Sequence, residues 1–209
     1  PLQSIIGSAE LLENGLVKPE DQPRFLNRIH QEADRLVALI NDILRLSQLD
    51  EGGALPHEQV SVLELAQEAA RSLTEQAAAQ SVSVSVTGTA GTVFGVRRLL
   101  YEIARNLCEN AVKYNVPGGS VTVEVAETDR DVALLVRDTG IGIPEGDQSR
   151  VFERFYRVDK SHSRAIGGTG LGLSIVKHAV AYHHGTLRLE SQLGKGTVIT
   201  VTLPKEPTE

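Results

Sequence analysis

The stretch RRLLYEIARNLCENAVKYN, residues 97–115, predicts a helix with two distinct faces. An apolar row recurs at helical spacing and consists of Leu100, Ile103, Leu107 and Ala111. Asn106, Asn110 and Lys113 follow one another at i, i+4 and i+7, so they share a second face about 100° from the first. The helix can therefore pack on a sheet with one face and present two amides and an ammonium group on the other.

This polar row has two interpretations. The first is an ordinary solvent-exposed helix face, which would contain the same residue types. An Asn oxygen is, however, a hard ligand suited to Mg²⁺, and a Lys one turn further along supplies a positive charge for phosphates. The row thus indicates a phosphate site only if neighbouring segments complete a pocket.

Two glycine-rich segments follow the helix and could complete it. In DTGIGIP, residues 138–144, an Asp ends a strand, and the alternating glycines allow the backbone to approach a flat ligand closely. A partly buried carboxylate can accept a hydrogen bond from an exocyclic amine such as that of adenine. In GGTGLGL, residues 167–173, clustered glycines precede a helix and expose N–H groups that suit an anion. A tight turn and a flexible hinge remain the alternatives for the two segments.

The segment between the glycine clusters concentrates aromatic and basic side chains in a chain with only four Phe and four Tyr. These side chains are Phe152, Phe155, Tyr156, Arg154, Arg157 and Arg164. The pattern is typical of a lid whose rings dock it and whose cations reach a phosphate.

Periodicity divides the chain into two predicted domains, residues 1–53 and 54–209. Two helices, over residues 2–12 and about 24–50, precede a Gly- and Pro-containing break. The second has a heptad-like seam, which favours a homodimeric four-helix bundle, with a cap by another domain as the alternative. The remainder predicts an α+β sandwich. Its expected helices are 62–79, 97–115, 148–155 and 171–183, and its expected strands are 82–86, 121–125, 132–136, 186–190 and 197–203.

Composition excludes several functional classes. The chain has 209 residues, a formal net charge of −6 and no basic stripe, which argues against nucleic acid or an anionic membrane surface as main partner. A single cysteine, Cys108, is expected in the core and cannot form a disulfide framework. No apolar run is long enough to span a bilayer. None of the six histidines has the spacing of a metal site, and His178, His183 and His184 are expected at the surface.

Four segments together resemble the conserved boxes of histidine kinases, in the family's order. Residues 106–115 resemble the N box, 138–144 the G1 box, VFERFYRVD at 151–159 the F box, and 168–173 the G2 box. Residues 1–53 resemble the dimerisation and histidine-phosphotransfer domain. The resemblance implies a Bergerat-type (GHKL) ATPase fold, a homodimer, and the cytoplasmic portion of a bacterial sensor anchored in the inner membrane, without membrane contact of its own.

The resemblance also implies roles for individual residues. The ATP-binding set would be Asn110, Lys113, Tyr114, Asp138, Gly140, Gly142, Arg157, Gly168, Thr169, Gly170, Leu171 and Gly172. Asp138 would bind the adenine amino group and Asn110 would hold Mg²⁺. Asn106, Lys113 and Arg157 would assist transfer of the γ-phosphoryl group to a His, from which it passes to an Asp of a response regulator. Asn106 occupies the position where related ATPases have a water-activating Glu, and an amide is a poor base.

The chain departs from the family pattern at its start. Pro1 matches the last residue of the H box, so the phosphoacceptor histidine is expected five residues upstream of it. We therefore expect this chain to bind Mg·ATP and dimerise without phosphorylating itself. Three alternatives remain: an ATP-hydrolysing clamp, a nucleotide-gated scaffold without activity, and a serine kinase of the anti-sigma type.

Overall fold

The computed structural model describes residues 2–50, 55–158 and 169–206. The hairpin consists of α1 (Leu2–Glu13) and α2 (Gln22–Asp50). The helices that follow are α3 (Val62–Ser72), α4 (Thr74–Ala79), α5 (Arg97–Lys113), α6 (Glu145–Gln148) and α7 (Gly172–Tyr182). The strands are β1 (Glu58–Ser61), β2 (Ser83–Gly88), β3 (Thr92–Gly95), β4 (Ser120–Glu127), β5 (Asp131–Asp138), β6 (Thr186–Gln192) and β7 (Gly196–Pro204).

A five-stranded sheet in the order β2-β4-β5-β7-β6 forms the base of the larger domain. Strand β2 runs parallel to β4, and the other neighbours are antiparallel. Strands β1 and β3 pair separately as a small antiparallel sheet. Helices α3, α5 and α7 pack together beside the sheet. The predicted combination of a helical hairpin with an α/β sandwich is confirmed.

Helix α5 is the centre of this packing. Its predicted apolar row is buried, with Ile103 and Leu107 exposing 1% and 2% of their surface. The row joins one core cluster with side chains of β4 and β5, such as Val121 and Leu134. Cys108 lies in the same cluster, and burial raises the pKa of its thiol to about 12. Cys108 is therefore a core residue, as predicted.

The helical hairpin leaves apolar side chains uncovered in the single chain. Helices α1 and α2 pack against each other, and Arg28 Nε donates a hydrogen bond to Ser4 Oγ at 3.2 Å. The exposed large apolar residues of the two helices are Leu2, Ile6, Leu11, Leu26, Val37, Ile40, Ile43 and Leu44. Such a row is expected of a bundle that is completed by a second hairpin. None of the helices in the described ranges has both the length and the apolar character needed to cross a bilayer.

Two local predictions need correction, and two short strands were missed. The helix expected over 62–79 is interrupted at Leu73, where α3 ends and α4 begins. The helix expected over 148–155 is absent: α6 (Glu145–Gln148) ends where that helix was expected to begin, and Phe155 has a left-handed φ of 64°. Strands β1 and β3 were not predicted, since each has four residues and too little alternation to recognise.

His183 was expected at the surface, but it is 8% exposed. Its Nε2 accepts a hydrogen bond from Val96 N–H at 3.0 Å, and its Nδ1 lies 2.7 Å from Ala179 O. Both contacts are satisfied only by the neutral ring that carries its proton on Nδ1. Since Val96 is the N-cap residue of α5, the imidazole joins the end of α7 to the start of α5.

His183 should make the stability of the fold sensitive to acid. Burial is the main cause that lowers its pKa below the ordinary value of about 6.5, and the contact with Ala179 O opposes the change. Because the folded pKa lies below the unfolded one, its contribution is complete above about pH 6.5 and declines as the pH falls through the folded pKa. We expect His183→Gln, which keeps an acceptor for Val96, to reduce the loss of unfolding free energy between about pH 7.5 and pH 5.

Urea unfolding at a series of pH values measures this effect. The control is His30→Gln, because the same change is made there on a side chain that is 80% exposed. Equal pH dependence in wild type and His183→Gln would show that His183 is not the titrating group.

Candidate functional site

A cavity of about 650 Å³ opens beside helix α5. This volume lies within the range of about 300–1,000 Å³ that is usual for small-molecule sites. The walls come from α5, the end of β5, the 141–143 turn, the 156–158 segment, and the residues before and within α7. Val136 and Ile199, from neighbouring strands, supply an apolar floor.

The polar face of α5 forms one wall, as its spacing predicted. Asn106, Asn110 and Lys113 all line the cavity. Asn106 Nδ2 donates to Glu102 O at 2.8 Å, which leaves its Oδ1 facing α7, where a Cβ built on Gly172 would lie 2.8 Å away. Within the described residues, no hydrogen bond engages the side chain of Asn110. Asn110 is thus available to a ligand, whereas Asn106 is partly engaged inside the protein.

Asp138 lines the same cavity from the end of β5. Its Oδ1 accepts hydrogen bonds from Gly140 N–H at 2.8 Å and from Thr197 N–H at 3.2 Å. Burial is the main cause that raises the pKa of this carboxyl group, and the two N–H donors act against it. No residue in the described ranges donates to Oδ2, so one carboxylate oxygen remains as an acceptor for a ligand.

Glycines allow the 140–142 turn to pass between two other segments. A Cβ on Gly140 would lie 2.3 Å from Tyr114 O, at the end of α5, and 2.9 Å from Asp138 Oδ1. A Cβ on Gly142, whose φ is +67°, would lie 2.1 Å from Gln192 O. Gly142 lines the cavity, but Gly140 does not. Gly140 therefore allows the backbone to pass close to the end of α5 and does not form a wall of the cavity.

Cationic side chains line the same cavity, and none of them is among the groups that shift the pKa of Asp138. Lys113 and Arg157 both line the cavity, and burial is the main cause that lowers the pKa of each. The charge of Arg157 lowers the pKa of Lys113 further, while Glu109 opposes that change. Lys113 Nζ also lies 5.7 Å from the centre of the Tyr114 ring, which is another wall of the cavity. The part of the cavity around Lys113 and Arg157 is therefore suited to an anion.

The segments on either side of residues 159–168 meet at the cavity. Phe155 N–H donates to Gly170 O at 2.9 Å. Tyr156 donates a short hydrogen bond to Asp147 Oδ1, and the Arg150 guanidinium lies 4.2 Å from the centre of its ring. Phe155, which was expected to dock a lid, is instead 56% exposed.

The predicted site residues fall into three groups. Those that line the cavity are Asn106, Asn110, Lys113, Tyr114, Asp138, Gly142, Arg157, Thr169, Gly170 and Gly172. Gly140 and Leu171 do not line it, and Leu171 is completely buried. Gly168 lies outside the described residues, as do His162, Arg164 and Gly167. Contact between any of these residues and a ligand stays a prediction.

Helix α2 supplies two cavity residues that the sequence did not indicate, Ala38 and Asn41. They are distant in sequence from every glycine segment, and no local pattern distinguishes them from the rest of a polar helix. Only the contact of α2 with α7, where Leu39 packs on Leu171 and Ile175, brings them to the cavity.

Two family models match the chain in succession. The "His Kinase A (phospho-acceptor) domain" matches residues 1–52, and the "Histidine kinase-, DNA gyrase B-, and HSP90-like ATPase" matches residues 95–207. The sensor-like histidine kinase SenX3 of Mycolicibacterium smegmatis is 38% identical over 99% of this chain and 55% of its own length. The chain spans between 28% and 55% of the length of the curated relatives SenX3 and CikA, which it matches.

Two solved structures resemble the whole chain. Full-length ShkA in complex with AMPPNP is 26% identical, with a TM-score of 0.75 over 100% of this chain and 44% of that one. The histidine kinase ThkA in complex with the response regulator protein TrrA has a TM-score of 0.77 over 99% of this chain and 58% of that one. At 22% identity, the second likeness shows the fold alone.

The close approach of the 140–142 turn to α5 leads to a stability prediction. Gly140→Ala should lower the free energy of unfolding by about 1–3 kcal/mol, because its Cβ would overlap Tyr114 O and press on Asp138. Gly146→Ala is the matched control, since a Cβ there meets nothing within 4 Å. Urea unfolding of both variants measures the difference, and equal losses would contradict the crowding at Gly140.

Proposed function

Because the chain belongs to the histidine kinases, with a phosphoacceptor-type hairpin followed by an ATPase domain of the histidine kinase, gyrase B and HSP90 type, we propose that it binds ATP beside α5 for phosphoryl transfer to a histidine. The observation that carries the proposal is the polarity of one cavity. Its lining includes Asp138, one carboxylate oxygen of which accepts no hydrogen bond from the described residues, and the cations Lys113 and Arg157, neither of which contributes to the pKa shift of Asp138. ATP has a matching polarity, with an amine on its base and anionic phosphates at the other end.

In the proposed pose, the adenine amino group donates to Asp138 Oδ2. The base lies over the apolar floor, and Tyr114 packs beside the nucleotide. The phosphates extend towards Lys113 and Arg157 and the N–H groups at the start of α7. The AMPPNP complex of ShkA supports the binding of an adenine nucleotide, because that protein shares the fold along the full length of this chain.

The residues present also suit Mg²⁺. Asn110 offers a hard oxygen ligand on the cavity wall, one turn before Lys113, and no described residue competes for it by hydrogen bonding. When bound, Mg²⁺ would neutralise part of the phosphate charge. Asn110 would hold the ion, while Lys113 and Arg157 would orient the γ-phosphate and balance its remaining charge.

Two features favour transfer to a histidine over hydrolysis. Asn106 occupies the place of a base, but its Nδ2 is held by Glu102 O and an amide is not basic. The carboxylate of Glu109 also lines the cavity, but Arg105 Nη2 lies 3.1 Å from Glu109 Oε2, so this carboxylate is already held in an ion pair. A water molecule in the cavity would therefore lack an efficient activator among the described residues.

The acceptor histidine is proposed to lie outside this 209-residue chain. His30 is exposed on α2, with its Nδ1 3.1 Å from Asp34 Oδ2, and none of the described histidines lines the cavity. Phosphorylation of this chain by itself is therefore not expected. From the histidine, the phosphoryl group would pass to an Asp of a response regulator, the class of partner that accompanies ThkA in its complex.

The proposal also covers the dimer, the boundary between the two domains and the parent protein. Residues 1–53 would form a four-helix bundle with a second copy through the exposed apolar row, and residues 54–209 would form the catalytic domain. Relatives such as SenX3 and WalK are named sensor-like or sensor histidine kinases and are about twice as long or longer, which supports a parent protein with a sensor region. We propose that this parent is anchored in the inner membrane. Because ATP is a cytoplasmic substrate, this portion would lie on the cytoplasmic side.

The assignment of Asp138 can be tested with nucleotides that differ at the base. Asp138→Asn should weaken ATP binding about 10- to 100-fold, because a hydrogen bond to a charged acceptor is lost. Binding of inosine triphosphate, which has no exocyclic amine, should change much less. Calorimetric titration in Mg²⁺ gives both affinities, and Asp129→Asn, on the distant β4–β5 turn, is the control. Equal losses for both nucleotides would refute the adenine contact.

The type of reaction can be tested with γ-labelled ATP. The chain alone should acquire no acid-labile label and release no phosphate continuously, although it binds ATP. The phosphoacceptor hairpin of SenX3, added as a separate protein, should become labelled. Steady phosphate release without an acceptor would favour the ATP-hydrolysing alternative, and label on the chain itself would contradict an external acceptor.

A further inference from the structure

Helix α2 of the hairpin closes one side of the cavity. Ala38 and Asn41 are both among its walls. Between them, Leu39 is half-buried against Leu171 and Ile175, which lie at the start of α7 and expose 0% and 1% of their surface. The segment of α2 around Leu39 is therefore held beside the glycine-rich entry to α7, where the phosphates are proposed to bind.

Arg35 lies one turn before Leu39 on this side of α2. Its side chain exposes 29% of its surface, and its Nη1 lies 3.9 Å from Glu32 Oε2, the limit for an ion pair. Arg35 does not itself line the cavity, but its charge contributes to the lowered pKa of Lys113 and Arg157, which do. Three cationic side chains, two from the ATPase domain and one from the hairpin, therefore converge on the same region.

We propose that Asn41 forms a third wall of the phosphate subsite and that Arg35, one turn before Leu39 on the same helix, adds a positive charge to it, so that the hairpin helix binds the triphosphate together with Lys113 and Arg157. The proposal rests on the ATP site described above and assigns the hairpin a direct part in it. Arg35 contributes a cation with five N–H donors, and Asn41 contributes an uncharged amide that tolerates a nearby anion.

A consequence is that the nucleotide and the hairpin helix stabilise each other's position. Like charges repel when Arg35 approaches Lys113 and Arg157, and a polyanion between them converts this repulsion into attraction. ATP carries more phosphate charge than ADP, so it should favour the docked position of α2 more strongly. Because coupling between two binding events is reciprocal, any change that moves α2 should alter ATP affinity more than adenosine affinity.

Two substitutions on α2 test the proposal, each with a matched control on the same helix. Arg35→Gln removes the cation, and Arg24→Gln makes the same change at an exposed position almost three turns away. Asn41→Asp introduces an anion at the cavity wall, and Asn27→Asp introduces the same group at an exposed position. Calorimetric titration of the full chain with Mg·ATP, Mg·ADP and adenosine gives the affinities.

We expect Arg35→Gln and Asn41→Asp to weaken ATP binding about 3- to 10-fold, the effect of one partly solvated charge near a phosphate. The affinity for ADP should fall less and the affinity for adenosine should not change. The control variants should have the same affinities as wild type. Arg35→Lys should restore most of the affinity, since it retains the charge.

The outcomes separate this proposal from the one on which it rests. If wild type binds ATP but Arg35→Gln and Asn41→Asp bind it equally well, the role of α2 is refuted and the ATP site stands. Equal losses for ATP and adenosine would also refute it, because they indicate disturbed folding and not a phosphate contact. If wild type binds no adenine nucleotide, the ATP proposal itself fails.

Discussion

The packing of helix α5 against the sheet is the constraint on which the site depends. Its row of apolar side chains is buried against β4 and β5, so the helix cannot rotate about its axis without exposing that row. With 3.6 residues per turn, this orientation turns Asn106, Asn110 and Lys113 towards the cavity. His183 restrains the N-terminal end of α5 through its contact with Val96 N–H. The position of the polar face is thus a consequence of core packing and does not depend on a bound ligand.

Asp138 illustrates how a charged group is kept at a partly buried position. Burial favours the protonated carboxyl group, whereas N–H donors from Gly140 and Thr197 stabilise the ionised form. Both donors depend on backbone approach: Gly140 is pressed against Tyr114 O, and Thr197 follows Gly196, where a Cβ would lie 2.0 Å from Asp138 O. The glycines around this carboxylate are therefore required by its hydrogen bonds as much as by any ligand. Because both bonds end on Oδ1, the same arrangement leaves Oδ2 to a ligand.

The parts of the site that could be predicted from sequence are those determined by local spacing. The two faces of α5 follow from helical periodicity, and the 138–144 turn follows from an Asp and glycines after an alternating strand. Ala38 and Asn41 could not be predicted, because their place in the cavity results from the packing of α2 on α7. The burial of His183 was missed for a similar reason, since its partner Val96 is 87 residues away in the chain. At the end of the segment expected as the 148–155 helix, the Phe155 N–H likewise bonds to a residue distant in the chain, Gly170 O.

The two domains meet through an apolar contact and a group of like charges, and these have opposite effects. The contact of Leu39 with Leu171 and Ile175 removes apolar surface from water and favours the docked arrangement with or without a ligand. The positive charge of Arg35 opposes it, because this charge contributes to the lowered pKa of both Lys113 and Arg157. The balance of these terms depends on whether phosphate lies between the cations. The apolar contact is small enough for the charges to offset it, because the burial of one or two side chains contributes a free energy comparable to that of a few partly solvated charges. Docking of the hairpin helix can therefore respond to the charge of the bound nucleotide, which a larger apolar interface would prevent.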